Sequence, residues 1–154
     1  MTSSQQLARR LQEVLLDGKW IANTNYRQEI EHLSWQEATR QVDQFNSVAK
    51  LTFHINYYLA GLLQVLNGGP LTISDRFSFD LPTISHQAAW DQLVEDFIKN
   101  ATIIVEKIAQ LDDAEMEAPF VDERYGNYRR NLEALIEHGY YHLGQLVLIK
   151  KIKA

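Results

Sequence analysis

The segment Glu137-His138-Gly139-Tyr140-Tyr141-His142-Leu143-Gly144-Gln145 sets two histidines four residues apart. On an α-helix that spacing stacks the two side chains one turn apart on one face. Imidazoles so placed can take adjacent positions around a single metal ion, with bonds of about 2.0–2.1 Å. A third histidine, His54, lies far upstream in another helical stretch. If the chain folds His54 against the pair, it holds a three-histidine site. Three protein ligands leave one position open for water or substrate, which is what a catalytic metal needs.

His138 and His142 fall on or beside an apolar seam with Leu135, Gln145 and Ile149. Core-facing imidazoles cost free energy unless their nitrogens find partners. A metal would satisfy one nitrogen on each ring, and hydrogen bonds to backbone or tyrosines would do the same. The pair lacks the intervening glutamate of H-E-x-x-H, so the spacing alone leaves both readings open. His54 sits about nine residues into its helix, and His138 and His142 about eleven and fifteen into theirs. At about 1.5 Å per residue these are similar heights. His32 and His86 read as exposed or local. No carboxylate matches the face of the pair. Glu137 points about 100° away from His138, and Glu133 is five residues before it. Water is therefore the expected occupant of the open position.

Three further residues are candidates for a substrate pocket. Lys50 and Tyr58 stand one turn either side of His54, and Gln145 stands one turn beyond His142. Tyr58 could act as an acid or orient a ligand, and Gln145 could bind a substrate or a water at the open position. Each is equally compatible with ordinary packing. Lys50 must snorkel away from a metal or meet an anionic substrate.

Four main helices must position these groups. The first spans about Ser4 to Leu16, carries Leu7, Leu11 and Val14 on one face, and stops at Gly18. A less regular stretch, Lys19 to Leu33, leads to Ser34-Trp35-Gln36-Glu37, which has the form of a capping box. The second spans about Phe45 to Leu66, with Val48, Leu51, Ile55, Tyr58, Leu62 and Val65 on its seam. Asn67-Gly68-Gly69-Pro70 ends it. A long connection, Gly68 to Ile84, has room for a short extended piece but no large sheet. The third helix runs from about Ser85 to Leu111, on a stripe of Trp90, Val94, Phe97, Ala101, Ile104, Ile108 and Leu111. After a connector from Asp112 to Asn127, the fourth runs to about Ile152, on Leu132, Leu135, Gly139, His142, Leu146 and Ile149. Four such stripes bury best in an all-α, four-helix bundle occupying the whole chain, 1–154, as one domain. The long connection can cross the bundle and leave the second and third helices roughly parallel.

Composition narrows the chemistry. The 154 residues are 45% hydrophobic and 23% charged, ordinary for a globular domain with a real core. There is no cysteine. Disulfides, thiolate ligands and a protein thiol nucleophile are excluded, and any metal must be held by imidazole or oxygen. The N-terminal MTSSQQLARRLQEV lacks the apolar core of a signal peptide, and no apolar run is long enough for a bilayer. The expected location is cytoplasmic, with no membrane partner. The net charge of −5 argues against nucleic-acid binding. The basic cluster Lys150, Lys151 and Lys153 reads as a complement to a helix C-terminus.

Asn46-Ser47-Val48 through His54-Ile55, followed by Asn131-Leu132 through His138 and by His142-Leu143-Gly144-Gln145, resembles the DinB-like (DinB/YfiT) superfamily. The resemblance covers nearly the whole chain in helix order and loop lengths. Its specific part is one histidine in the second helix together with H-x-x-x-H-x-G-Q in the fourth. It implies a four-helix bundle with a crossover between helices two and three, often dimeric. It implies a divalent metal, commonly zinc or nickel, on His54, His138 and His142. Members include transferases that use a small thiol as co-substrate, an isomerase, proteins assigned as hydrolases and stress-related proteins. Fold and metal carry over from such a likeness more readily than substrate or reaction.

Two expectations of function follow. One is a divalent-metal-dependent enzyme acting on a small molecule, a small-thiol-dependent S-transferase or a hydrolase, and a homodimer. The other is a non-catalytic, stress-related bundle whose metal site is structural or vacant and which acts through dimerisation. A DNA-associated stress protein is disfavoured by the acidic balance.

Overall fold

The computed structural model describes residues 1–152. Lys153, the last member of the basic cluster, lies outside them. Helix α1 (Ser3–Gln12) starts at Thr2, which forms a capping box with Gln5, and buries Leu7, Ala8 and Leu11. It runs on into a π-helical turn, Glu13–Asp17, that buries Val14 and Leu15. Gly18 closes that turn with an N–H to the Glu13 carbonyl at 3.0 Å. A Cβ on Gly18 would stand 2.4 Å from Glu13 Cβ, so a side chain there would force the turn open. The expected helix to Leu16 is thus present, with its last turn wound wider.

The irregular stretch contains a short helix, α2 (Tyr26–Ile30), capped by Asn25. The Ser34–Glu37 capping box forms and starts α3 (Trp35–Thr39). Helix α4 (Val48–Leu66) begins later than the apolar pattern from Phe45 suggests. Ser47 holds extended backbone and its hydroxyl accepts the Lys50 N–H, which fixes the start there. Phe45 is left 53% exposed. Helices α5 (Gln87–Gln110), α6 (Asp113–Glu117) and α7 (Tyr128–Lys151) complete the fold, α7 being capped by Asn127.

Among the described residues there is no strand. The long connection holds a 3-10 turn, Asp75–Phe77, in place of an extended piece. An isolated antiparallel bridge joins Pro119 to Asn127 in the second connector. No helix among the described residues is long and apolar enough to cross a membrane.

The four long helices meet in a closed circuit: α4 on α5, α5 on α1, α1 on α7 and α7 on α4. The expected stripes are the buried ones, with Trp90, Phe97, Ile55, Ile104 and Leu146 in the interior. Tyr26, fully buried, lies against Phe97 at 5.4 Å between ring centroids. Its hydroxyl donates to the Gly139 carbonyl at 3.1 Å. A Cβ on Gly139 would touch the Val14 methyls at 3.4 Å, so α7 and the end of α1 approach closely there. Lys150 donates to the Glu29 carboxylate, which ties the last turn of α7 to α2.

Candidate metal centre

Helices α4 and α7 bring His54, His138 and His142 together, as the spacing predicts. Their ligand atoms lie within 4.8 Å of one another, and no carboxylate belongs to the group. His54 Nε2 stands 3.0 Å from His138 Nε2. Nitrogens sharing a tetrahedral ion with bonds of about 2.0–2.1 Å lie about 3.3 Å apart. The first two rings are therefore close to that separation. His54 and His142 are buried and His138 half-buried.

The tautomers favour ligation. His54 Nδ1 lies 3.2 Å from the Ser78 carbonyl. A carbonyl has no proton to give, so Nδ1 donates and the lone pair of His54 is on Nε2. His142 Nδ1 lies 2.7 Å from Gln145 Oε1 and is fixed in the same way. Ligating histidines are commonly oriented by just such a contact on the other nitrogen. The donor set is neutral imidazole, which suits a divalent transition metal, and the residues present fit one.

Burial, and then the proximity of neighbouring rings (His142 for His54, His142 and His54 for His138), lowers the His54 and His138 pKa values from the ordinary 6.5 to about 4, and burial lowers that of His142 as well. All three rings are neutral near pH 7. In the metal-free protein this has a consequence for stability. Between the folded and unfolded pKa values the unfolded chain binds protons that the folded chain refuses, so stability rises with pH there. The metal-free protein should hold its stability above about pH 6.5 and lose it progressively as pH falls towards about 4. Thermal unfolding across that interval checks this, and a midpoint that stays flat contradicts it.

The connection between α4 and α5 supplies the back of the site. Tyr57 hydroxyl donates to the Ser74 carbonyl at 3.0 Å and accepts the Ser74 N–H at 2.8 Å. Tyr58 hydroxyl donates to Asp75 Oδ1 at 2.7 Å. Phe79 stacks on His54 at 3.9 Å with the planes 6° apart. Residues 74–79 thus form a strap laid over the first ligand.

Tyr58, singled out from the sequence, packs edge-on against His54 and His138 at 5.1 and 5.2 Å. Burial, with the Asp75 carboxylate next, pushes its pKa up to about 12. Gln145 lies on the far nitrogen of His142. Lys50 is half-buried in the first turn of α4 and does not line the cavity beside His138. His32 and His86 are exposed, as expected. Sequence reading missed Asp75, Ser78 and Phe79, which lie in a stretch with no periodic signal.

Gln145→Leu keeps the volume but removes the acceptor for His142 Nδ1. Metal affinity should fall about 10–100-fold with the helical content unchanged. A competitive chelator titration reads this directly, and wild-type affinity would show that Gln145 does not orient the ring.

A helical chain with three imidazoles gathered from two helices, and no fourth protein ligand among the described residues, is a helical domain with a cluster that could hold a metal ion. A family model for the DinB superfamily matches residues 21–146, and the chain belongs to that superfamily. No curated protein and no solved structure matches it.

Proposed function

We propose that the protein is a divalent-metal-dependent enzyme acting on a small molecule, a small-thiol-dependent S-transferase or a hydrolase. One observation carries this reading: three imidazoles converge, with no fourth protein ligand in the group, beside a cavity of about 650 Å³ that includes His138 in its wall. His54, His138 and His142 would hold the ion, zinc or nickel, since imidazole suits both. A divalent ion bound there supplies Lewis acidity, lowering the pKa of a thiol or water placed beside it.

The chain's own groups do the rest. Ser78 and Gln145 hold two ligand rings in the tautomer that offers Nε2. Tyr58 keeps its proton on Oη at neutral pH and directs it to Asp75, at the cavity wall. Leu62, Leu71, Ile73 and Leu135 give the cavity an apolar wall. With no cysteine in the chain, any thiol must come from outside.

The reading includes a four-helix bundle with a crossover. The closed circuit of contacts among α1, α4, α5 and α7 supports it. So does α3, which touches both α4 and α5 and donates its Trp35 N–H to Gln87 at the start of α5. It also includes a homodimer in the cytoplasm, with neither nucleic acid nor membrane as partner, consistent with the net charge of −5.

The test begins with elemental analysis of protein purified without added metal. The metal-loaded protein is then assayed with small thiols and electrophilic acceptors, and with ester and amide substrates. Metal-dependent turnover, lost on chelation without unfolding, is the expected result. A stoichiometric metal whose removal unfolds the chain, with no turnover on any substrate, would replace this reading with a structural site.

A further inference from the structure

The cavity beside His138 falls in the size range of small-molecule sites, about 300–1,000 Å³. Much of its wall is apolar, with Leu62, Ile73, Leu135, Phe120 and Tyr125 among the lining residues. Asp75 is its one formally charged side chain, and no lysine or arginine lines it. The arginines that neighbour lining residues in sequence are each engaged by another group, Arg124 also lying over the ring of the lining Tyr125 at 5.7 Å. Arg76 lies over the Phe77 ring at 4.4 Å. Arg124 pairs with Asp122 at 3.0 Å, and Arg130 with Glu137 at 3.3 Å.

Away from the ion's own position, an anion in this space gives up hydration against hydrocarbon and finds no lysine or arginine to replace it. It also meets the Asp75 carboxylate, which the Tyr58 hydroxyl holds at the wall. We infer that the part of the substrate lying in this cavity is uncharged and hydrophobic, and that Asp75 is the specificity-determining residue that turns anions away. This names the substrate class of the site proposed above and rests on that reading. A thiol or acceptor bearing carboxylates or phosphates must leave those groups in solvent.

The probes are phenylbutanol and phenylbutyrate, matched in body and differing in charge. Both are titrated by calorimetry into metal-free protein, where a carboxylate has no ion to seek. The alcohol is expected to bind about tenfold more tightly than the carboxylate, or better. Asp75→Asn keeps an acceptor oxygen for Tyr58 and should raise the carboxylate's affinity severalfold while leaving the alcohol's unchanged. Ala134→Phe, which fills the cavity from α7, should abolish binding of both. Equal binding of the two probes overturns the inference. So does no binding of the alcohol, or an Asp75→Asn protein that still rejects the carboxylate. Neither metal nor turnover enters these measurements. A preference found without any turnover removes the enzyme reading alone, whereas turnover without the preference removes this one alone.

Discussion

His142→Ala will leave the protein unable to retain a metal ion through purification. His142 is buried in α7 and fixed through Nδ1 by Gln145. Removing it leaves two donors, His54 and His138, from different helices. Contacts behind a ligand are worth about 10–100-fold in affinity, so loss of the ligand itself should exceed a hundredfold. The measurement is metal content together with the metal-induced rise in Tm. Binding to the folded state raises stability by RT ln(1 + L/Kd), with L the free metal concentration, so the rise should vanish in the variant. Retention of one metal per chain at wild-type affinity would show that the three rings do not form one site.

Phe97→Ala will produce the largest loss of stability away from the metal. The ring is fully buried at the centre of α5 and packs on Tyr26. Truncating a buried phenylalanine costs about 3–5 kcal/mol, through lost burial and the cavity left behind. For a domain of this size that is a fall in Tm of about 10 °C. A second effect should accompany the first. Tyr26 positions the Gly139 carbonyl, which lies between the two histidines of α7. Once Tyr26 loses its neighbour, the spacing of the pair against His54 should loosen and metal affinity should drop, although Phe97 touches no ligand. Phe97→Leu retains most of the volume and should show both effects weakly. A truncated variant with unchanged metal affinity would uncouple the core from the site.

The seams of α4, α5 and α7 were legible because each buries one face of a long helix, which leaves a three-and-four residue signature. The histidine pair was legible for the same reason, since its spacing matches the helical repeat. His54 could be placed with the pair because all three lie at similar depths along their helices. The strap was not legible. Asp75, Ser78 and Phe79 gain their roles from docking onto Tyr58 and His54, contacts between segments that leave no local period. Lys50 stands one helical turn from a ligand, and that proximity along α4 does not give it a share in the cavity. The start of α4 was misjudged because Phe45 continues the apolar spacing, whereas the hydroxyl of Ser47 decides the boundary. The wide turn at Glu13–Asp17 left no mark beyond Gly18.

The strap divides its own connector into a tolerant half and an intolerant one. Between Gly68 and Pro70 the chain only has to reach, and doubling such a span costs about 0.6 kcal/mol in closure entropy, whereas Leu71 and Ile73 already line the cavity. Insertions and deletions, tags or grafted peptides should be accepted there. From Ser74 to Phe79 the chain must arrive in phase, because the Ser74 backbone, the Asp75 carboxylate, the Ser78 carbonyl and the Phe79 ring each meet a fixed partner on α4. One added residue in that half would rotate every later contact out of place. Natural length variation in this protein's lineage should therefore stop short at Leu71.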